Sequence, residues 1–117
     1  MKRIFEWNVK LIDKEKENVF YGTGKQSKER MESLLNYGLK CEYLGDNDEK
    51  NWNKVIDGKR CLSHEEIKGR ANLNVIVGSK LYEKKIEERM LGLGLWPEQI
   101  FYDNYKEELG DRIYLKD

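Results

Sequence analysis

The sequence predicts an α/β fold, a doubly wound sheet of about four parallel strands with helices on both faces. Short apolar runs alternate with amphipathic stretches along the 117 residues, and glycines follow several of the runs. This pattern is typical of parallel strands joined by right-handed helical crossovers, which place helices on both faces. The length fits one domain, 1–117, whose core we place at 18–102.

The N-terminal segment fits two patterns. Apolar and polar residues alternate from Phe5 to Leu11, as in a strand. Phe5, Val9 and Ile12 also have the spacing of one helical face. We favour a helix over 3–15, because the other predicted strands are short and follow helices.

A strand, a glycine turn and a helix come next. Asn18–Tyr21 is a short apolar run that predicts the first core strand, and Gly22-Thr23-Gly24 breaks it. Apolar residues at helical spacing then predict a helix over 25–37, which Gly38 ends. A second strand, 40–44, is followed by the turn-forming residues "GDND".

The middle of the chain contains local turn and capping signals. The stretch "VIDGKRCL" predicts a tight turn at Asp57-Gly58 between extended flanks. Ser63 is expected to cap a short helix, and Glu66, three residues on, completes a capping box.

The last third of the chain contains the most apolar run. Leu73–Val77 lacks alternation, which is typical of a central strand buried on both faces. Tyr82 and later apolar residues at helical spacing predict a helix that Pro97 prevents from continuing. A final strand is expected at 99–102, followed by a polar tail, 103–117.

Composition narrows the classes of function. Lys plus Arg and Asp plus Glu number 22 each, and this balance predicts no nucleic-acid partner. No signal peptide or membrane-spanning stretch is visible, so we expect a cytoplasmic protein with no membrane contact. Cys41 and Cys61 are expected to be reduced, packed thiols.

The stretch "GTGKQS" has two of the three glycines of a dinucleotide-binding turn. Gly22 fits the tight turn, and Gly24 fits the position where a phosphate approaches the backbone. Ser27 stands where the third glycine would be, and it either pushes the helix away from the strand or adds a hydroxyl. The motif indicates a phosphate site at the helix N-terminus or a structural turn only.

Asp46 lies 24 residues after Gly22, at the predicted end of the second strand. An acidic residue about 20 residues beyond such glycines accepts hydrogen bonds from ribose hydroxyls, although Asp also suits a plain turn. The loops after parallel strands meet at one edge of a sheet, which predicts a nucleotide site there. The predicted site residues are Gly22, Thr23, Gly24, Lys25, Gln26, Asp46, Asn47, Asp48, Gly78 and Ser79.

Other candidates for chemistry receive structural roles. His64, the only histidine, is expected to be exposed in the first turn of its helix. Trp7 and Trp96 are predicted core anchors, and Trp52 is placed on an irregular loop. No pattern of residues predicts a catalytic group or a metal site.

Four stretches together resemble a known family: "VFYGTGKQSKERMESLLNYGLKCEYLGDND", "VIDGKRCLSHEEI", "NVIVGSKLYEKKIEERMLGLGL" and "QIFY". They look like a small Rossmann-like domain of bacterial surface-glycan biosynthesis, attached to FkbM-type methyltransferases and to glycosyltransferases. They are also similar to the N-terminal domain of acetyltransferases that modify amino sugars. The left-handed β-helix of those acetyltransferases and the methyl-donor domain of the methyltransferases have no counterpart in these residues.

The resemblance implies that Gly22, Thr23, Gly24 and Asp46 hold a nucleotide sugar, with Asn47 and Asp48 beside them. We therefore predict a nucleotide or nucleotide-sugar binding module that accompanies a transferase domain and has no catalytic activity alone. The nucleotide sugar is a possible ligand, and no certain cofactor is predicted. The alternative is a structural or protein-interaction domain that kept the Rossmann-like fold without a ligand, which Ser27 favours.

Overall fold

The computed structural model of this chain describes residues 2–4, 12, 15–79 and 82–103. These residues form seven strands and three α-helices, with 3₁₀ turns at Glu49–Asn51 and Pro97–Gln99. In chain order the elements are β1 (Lys2–Ile4), β2 (Glu17–Tyr21), α1 (Lys25–Asn36), β3 (Tyr43–Gly45), β4 (Val55–Ile56), β5 (Lys59–Leu62), α2 (His64–Ile67), β6 (Leu73–Val77), α3 (Glu83–Gly92) and β7 (Ile100–Asp103).

The strands form one sheet in the order β1-β7-β6-β2-β3-β5-β4. Every neighbouring pair is parallel except β4 and β5. Starting from β2, the chain moves outward through β3 to β5, returns to β6 beside β2, and then moves outward to β7. This reversal between β2 and β6 is the switch point of a doubly wound sheet, where the strand ends open a crevice. The predicted α/β doubly wound fold is confirmed, and the described sheet has seven strands where about four were expected, the additional ones being β1, β4 and β5.

Helices cover both faces of the sheet because side chains alternate along the central strands. Consecutive residues of β2 and β6 point to opposite faces, so each strand contributes to two apolar clusters. The cluster on the α1 side contains Phe20, Met31, Leu34, Leu44 and Ile76. The cluster on the α2 and α3 side contains Val19, Tyr21, Ile67, Val75, Ile86 and Met90.

Local signals predicted several elements correctly. Asp57 and Gly58 both have positive φ, 54° and 81°, in the two-residue turn between β4 and β5. Ser63 and Glu66 form the predicted capping box at the start of α2. Cys41 and Cys61 are free and buried, as expected, and burial raises the pKa of each thiol to about 11.

The predicted N-terminal helix 3–15 is wrong at its start. Lys2–Ile4 is a strand that pairs in parallel with β7 and extends the sheet beyond it. This pairing satisfies backbone groups that would otherwise line an open sheet edge. Residues 5–11, 13–14 and 104–117, and therefore Trp7 and most of the predicted tail, lie outside the described residues; Asp103 belongs to β7.

Of the two described tryptophans, only Trp52 lies where the sequence placed it. Trp96 is 67% exposed, so its predicted role as a core anchor is wrong. Gln99 is buried instead, and its side-chain amide donates to the backbone carbonyls of Leu73 and Arg70. Trp52 packs against the cluster on the α1 side although it lies outside regular helices and strands.

Within the described ranges, none of the helices has the length and apolar character needed to cross a bilayer.

Candidate functional site

The glycine turn between β2 and α1 has a steric reason for its first glycine. Gly22 has a backbone φ of +136°, which residues other than glycine rarely adopt. A Cβ on Gly22 would also lie 2.5 Å from Ser27 Oγ. The Gly22 amide donates to the Gly45 carbonyl at 2.8 Å, which ties the turn to the end of β3.

Ser27 replaces the third glycine with a buried hydroxyl. Its Oγ donates to the Gly78 carbonyl at 3.0 Å, at the end of β6. Ser27 was expected either to push the helix away from the strand or to add a hydroxyl, and the structure shows the added hydroxyl. This bond connects α1 to the strand on the other side of the switch point.

Gly24 has no comparable structural reason to be glycine. It is the N-cap of α1 with φ −72° and ψ 173°, a conformation open to any residue. A Cβ built on Gly24 meets no other atom of the protein within 4 Å. Gly24 provides no side-chain cap and the first turn of α1 contains no acidic residue, so the first-turn amides remain available to an anion.

Asp46 connects the glycine turn to the loop after β3. Its carboxylate accepts hydrogen bonds from the Thr23 hydroxyl, from Asn51 Nδ2 at 2.8 Å and from the Asp48 amide at 3.0 Å. Burial alone would raise the pKa of Asp46, but these hydrogen bonds outweigh burial and hold the pKa below its ordinary value. Asp46 is therefore a charged group at neutral pH.

These loops surround a cleft of about 770 Å³ at the carboxyl ends of the central strands. Nine of the ten predicted site residues line it. Gly78 is the exception, because it is buried and a Cβ there would overlap the Phe20 ring. The lining consists of Tyr21–Ser27, Asp46–Asp48, Ser79, Tyr82, Lys85 and Ile86.

Sequence reasoning missed the contribution of α3 and of the last residue of β2. Tyr82 and the later apolar residues are predicted only to form a helix, but Tyr82 is 53% exposed and both Tyr82 and Ile86 line the cleft. Lys85 lies between them in sequence and brings a second positive charge in addition to Lys25. The position of Tyr82, Lys85 and Ile86 in the segment that follows β6 was the available signal.

The expected exposure of His64 is wrong, because this side chain is buried at the start of α2. Its Nε2 lies 2.7 Å from the Tyr21 hydroxyl, and its ring centroid lies 4.7 Å from that of Trp52. Burial, followed by the positive charge of Arg89, lowers the pKa of His64. Its place in the first turn of α2 was readable from the sequence, but its long-range contacts were not.

The strand order and the cleft at the switch point define a Rossmann-like domain. The chain belongs to the C2185-like, N-terminal family, whose model matches residues 14–101. Comparison with curated proteins gives no match.

Two solved structures resemble this chain. The crystal structure of RSP, a Rex-family repressor, has a TM-score of 0.53 and 16% sequence identity, over 89% of this chain and 58% of that one. The crystal structure of RSP in complex with beta-NADH has a TM-score of 0.51 and 15% identity, over 86% and 57%. The chain therefore spans under two thirds of each RSP chain, and at this identity the likeness concerns the fold.

Proposed function

We propose that this domain binds a nucleotide, with NADH as the first candidate, in the cleft at the carboxyl ends of β2, β3 and β6. The observation that carries the proposal is Gly24, a glycine with ordinary dihedrals and open space where its side chain would be. Glycine at this position of a dinucleotide-binding turn lets a phosphate approach the backbone.

The charges around the cleft support the same assignment. The amides of the first turn of α1 and the helix dipole favour an anion at that end of the helix. Lys25 and Lys85 add positive charge, and Asp46 and Asp48 offer acceptors for sugar hydroxyls. RSP, which shares the fold, was crystallised with beta-NADH.

Calorimetric titration with NADH, using Gly24→Val and Gly92→Val, tests the proposal. A valine at residue 24 would occupy the space of the phosphate, so we expect Gly24→Val to lose binding while its melting temperature stays near that of the wild type. Gly92 is a matched control at the end of α3, since a Cβ there also meets no atom within 4 Å and Gly92 does not line the cleft. Equal binding by wild type and Gly24→Val would contradict the proposed site.

The same titration shows whether the ligand is NADH or a nucleotide sugar. The resemblance to surface-glycan domains supports a nucleotide sugar and a transferase partner, so UDP-, GDP- and dTDP-sugars form a second series of ligands. Tighter binding of one of these than of NADH would favour that version. If the wild type binds no nucleotide at millimolar concentration, the interaction-domain hypothesis replaces this proposal. The balanced charge still predicts no nucleic-acid partner, although RSP is a repressor.

A further inference from the structure

Four polar side chains form a chain of contacts that ends at the cleft, and we call it the Arg89–Asn47 relay. Arg89 Nη1 lies 3.5 Å from His64 Nδ1, and His64 Nε2 lies 2.7 Å from the Tyr21 hydroxyl. The same hydroxyl lies 2.5 Å from Asn47 Oδ1. The relay links α3, α2, the end of β2 and the loop after β3.

The direction of the hydrogen bonds follows from Arg89. A guanidinium only donates, so His64 Nδ1 must accept. The single proton of a neutral imidazole then lies on Nε2, beside the Tyr21 oxygen, and the Asp46 backbone carbonyl is a further acceptor for the imidazole. Tyr21 has one proton of its own, which it donates to Asn47 Oδ1. The reverse direction would place a proton on Nδ1, facing the N–H group of Arg89.

This direction fixes the orientation of the Asn47 amide. Its Oδ1 is occupied by Tyr21, and its Nδ2 donates to no residue in the described part of the chain. Asn47 is exposed and lines the cleft, whereas His64 is buried and does not. The amide therefore offers donors, and not an acceptor, to whatever occupies the cleft.

We propose that Tyr21 and His64 are positioning residues that hold Asn47 as a hydrogen-bond donor, so that the site selects a nucleotide with an acceptor beside the β3 loop. A ribose oxygen and a ring nitrogen of the base both have this chemistry. This inference rests on the proposed function. Because His64 lies outside the cleft lining, its effect on a ligand passes through Tyr21 and Asn47.

The role of the Asn47 amide as a hydrogen-bond donor is tested with the variant Asn47→Asp. The variant is titrated with NADH, or with UDP-glucose if NADH gives no binding heat. This substitution keeps an acceptor for Tyr21, removes the amide protons and adds a negative charge beside Asp46, so any effect of repulsion on the ligand phosphates adds to the loss of the donor. Loss of one hydrogen bond corresponds to about tenfold weaker binding. Asn53→Asp is the matched control, because it makes the same charge change on an exposed residue outside the cleft. We expect the control to change the dissociation constant by less than about twofold.

The positioning role is tested with His64→Gln and His64→Leu. Glutamine can still donate to the Tyr21 oxygen, and leucine cannot. We expect His64→Leu to weaken binding and to shift the side-chain amide resonances of Asn47 in nitrogen-15 spectra, while His64→Gln restores both. A role for His64 in folding alone would change the melting temperature without moving these resonances. Should His64→Leu fail to fold, Asn47→Asp decides the question.

The outcomes separate this inference from the proposed function. If the wild type binds nucleotide and Asn47→Asp binds equally tightly, the inference is wrong and the proposed function stands. The same holds if His64→Leu folds and leaves both binding and the Asn47 resonances unchanged. If the wild type binds neither NADH nor UDP-glucose nor any other nucleotide, both the proposed function and this inference are wrong.

Discussion

Asp46 shows at the residue scale how one carboxylate can serve both the fold and a ligand. Its bonds to Thr23, Asn51 and the Asp48 amide hold the glycine turn against the loop after β3. A carboxylate has about four lone-pair positions, and the Asn47 backbone amide also donates toward Asp46, so the ribose contact predicted from the sequence spacing would share one of these positions.

The charge of Asp46 is expected to set selectivity between NADH and NADPH. A charged carboxylate repels a phosphate on the ribose, so NADH should bind more tightly than NADPH. Asp46→Asn keeps an acceptor oxygen for Thr23 and removes the charge, which should narrow the ratio of the two dissociation constants. Calorimetric titration of both proteins with both ligands measures this ratio. An unchanged ratio would show that Asp46 does not face the ribose.

His64 is expected to make the free energy of unfolding depend on pH in the range below pH 6.5. Its pKa in the folded protein lies below the ordinary value of 6.5, so the unfolded chain binds a proton more readily. The free energy of unfolding should therefore be constant just above pH 6.5 and fall as the pH drops from 6.5 toward the folded pKa. Urea unfolding of wild type and His64→Gln at several pH values measures the effect.

The comparison with His64→Gln isolates this residue, because His64 is the only histidine of the chain. Glutamate has an ordinary pKa of 4.5, so most carboxyl effects lie at lower pH than the histidine window. If the free energy of unfolding of His64→Gln still falls as the pH drops from 6.5 to 4.5, the effect comes from other groups.

At the scale of elements, the bond from Ser27 to the Gly78 carbonyl fastens α1 to β6 across the switch point. The third glycine of a dinucleotide turn allows close packing of the same helix. Here a hydroxyl performs the connection, and the Cβ that it requires lies against Gly22, whose lack of a side chain accommodates it. Gly22 and Ser27 therefore act as a pair.

We expect Ser27→Ala to lower the free energy of unfolding by about 1 kcal/mol, the net value of one hydrogen bond. Ser33→Ala, on the same helix and half-buried, is the matched control and gains the same helix propensity. Urea unfolding of both variants gives the difference. Equal free energies would mean that the Ser27 hydroxyl does not stabilise the helix connection.

Elements were predictable where their signals are local. The capping box of α2, the turn at Asp57-Gly58 and the apolar run of β6 are each contained within a few residues. The start of β3 was placed too early, at Lys40 instead of Tyr43. The reason lies in β2, because the Asn18 side chain donates to the Lys40 carbonyl and the Glu42 side chain accepts from the Asn18 amide. Such contacts across the sheet leave no local signal.

At the scale of the whole molecule, the sheet is best protected at its centre. β6 lies between β2 and β7 and all five of its residues are buried. β4 forms the opposite edge from β1, has two residues, and exposes Val55 to 68%. The strand order that creates this difference was predictable only as a class, since alternation and crossovers do not specify the partner of each strand.

We expect Val75, Ile76 and Val77 to be among the slowest amides in hydrogen exchange, because opening them requires unfolding of the central sheet. The amides of Val55 and Ile56 serve as the internal comparison and should exchange faster. Proton–deuterium exchange followed by NMR resolves both groups. Exchange at 75–77 as fast as at 55–56 would show that β6 is not the protected centre.

The place of β1 beside β7 has a consequence for the order of folding. Its ladder joins Lys2 to Phe101, the two ends of the described chain, and the entropy of closing a loop grows with its length. The β2–β3 and β6–β7 ladders enclose much shorter loops and are expected to form first, with β1 joining late. Contacts made after the transition state slow unfolding and leave the folding rate almost unchanged. Pairing of β1 with β7 would then slow unfolding and so lengthen the lifetime of the folded domain. The folding rate would be set by the strands at the centre of the sheet.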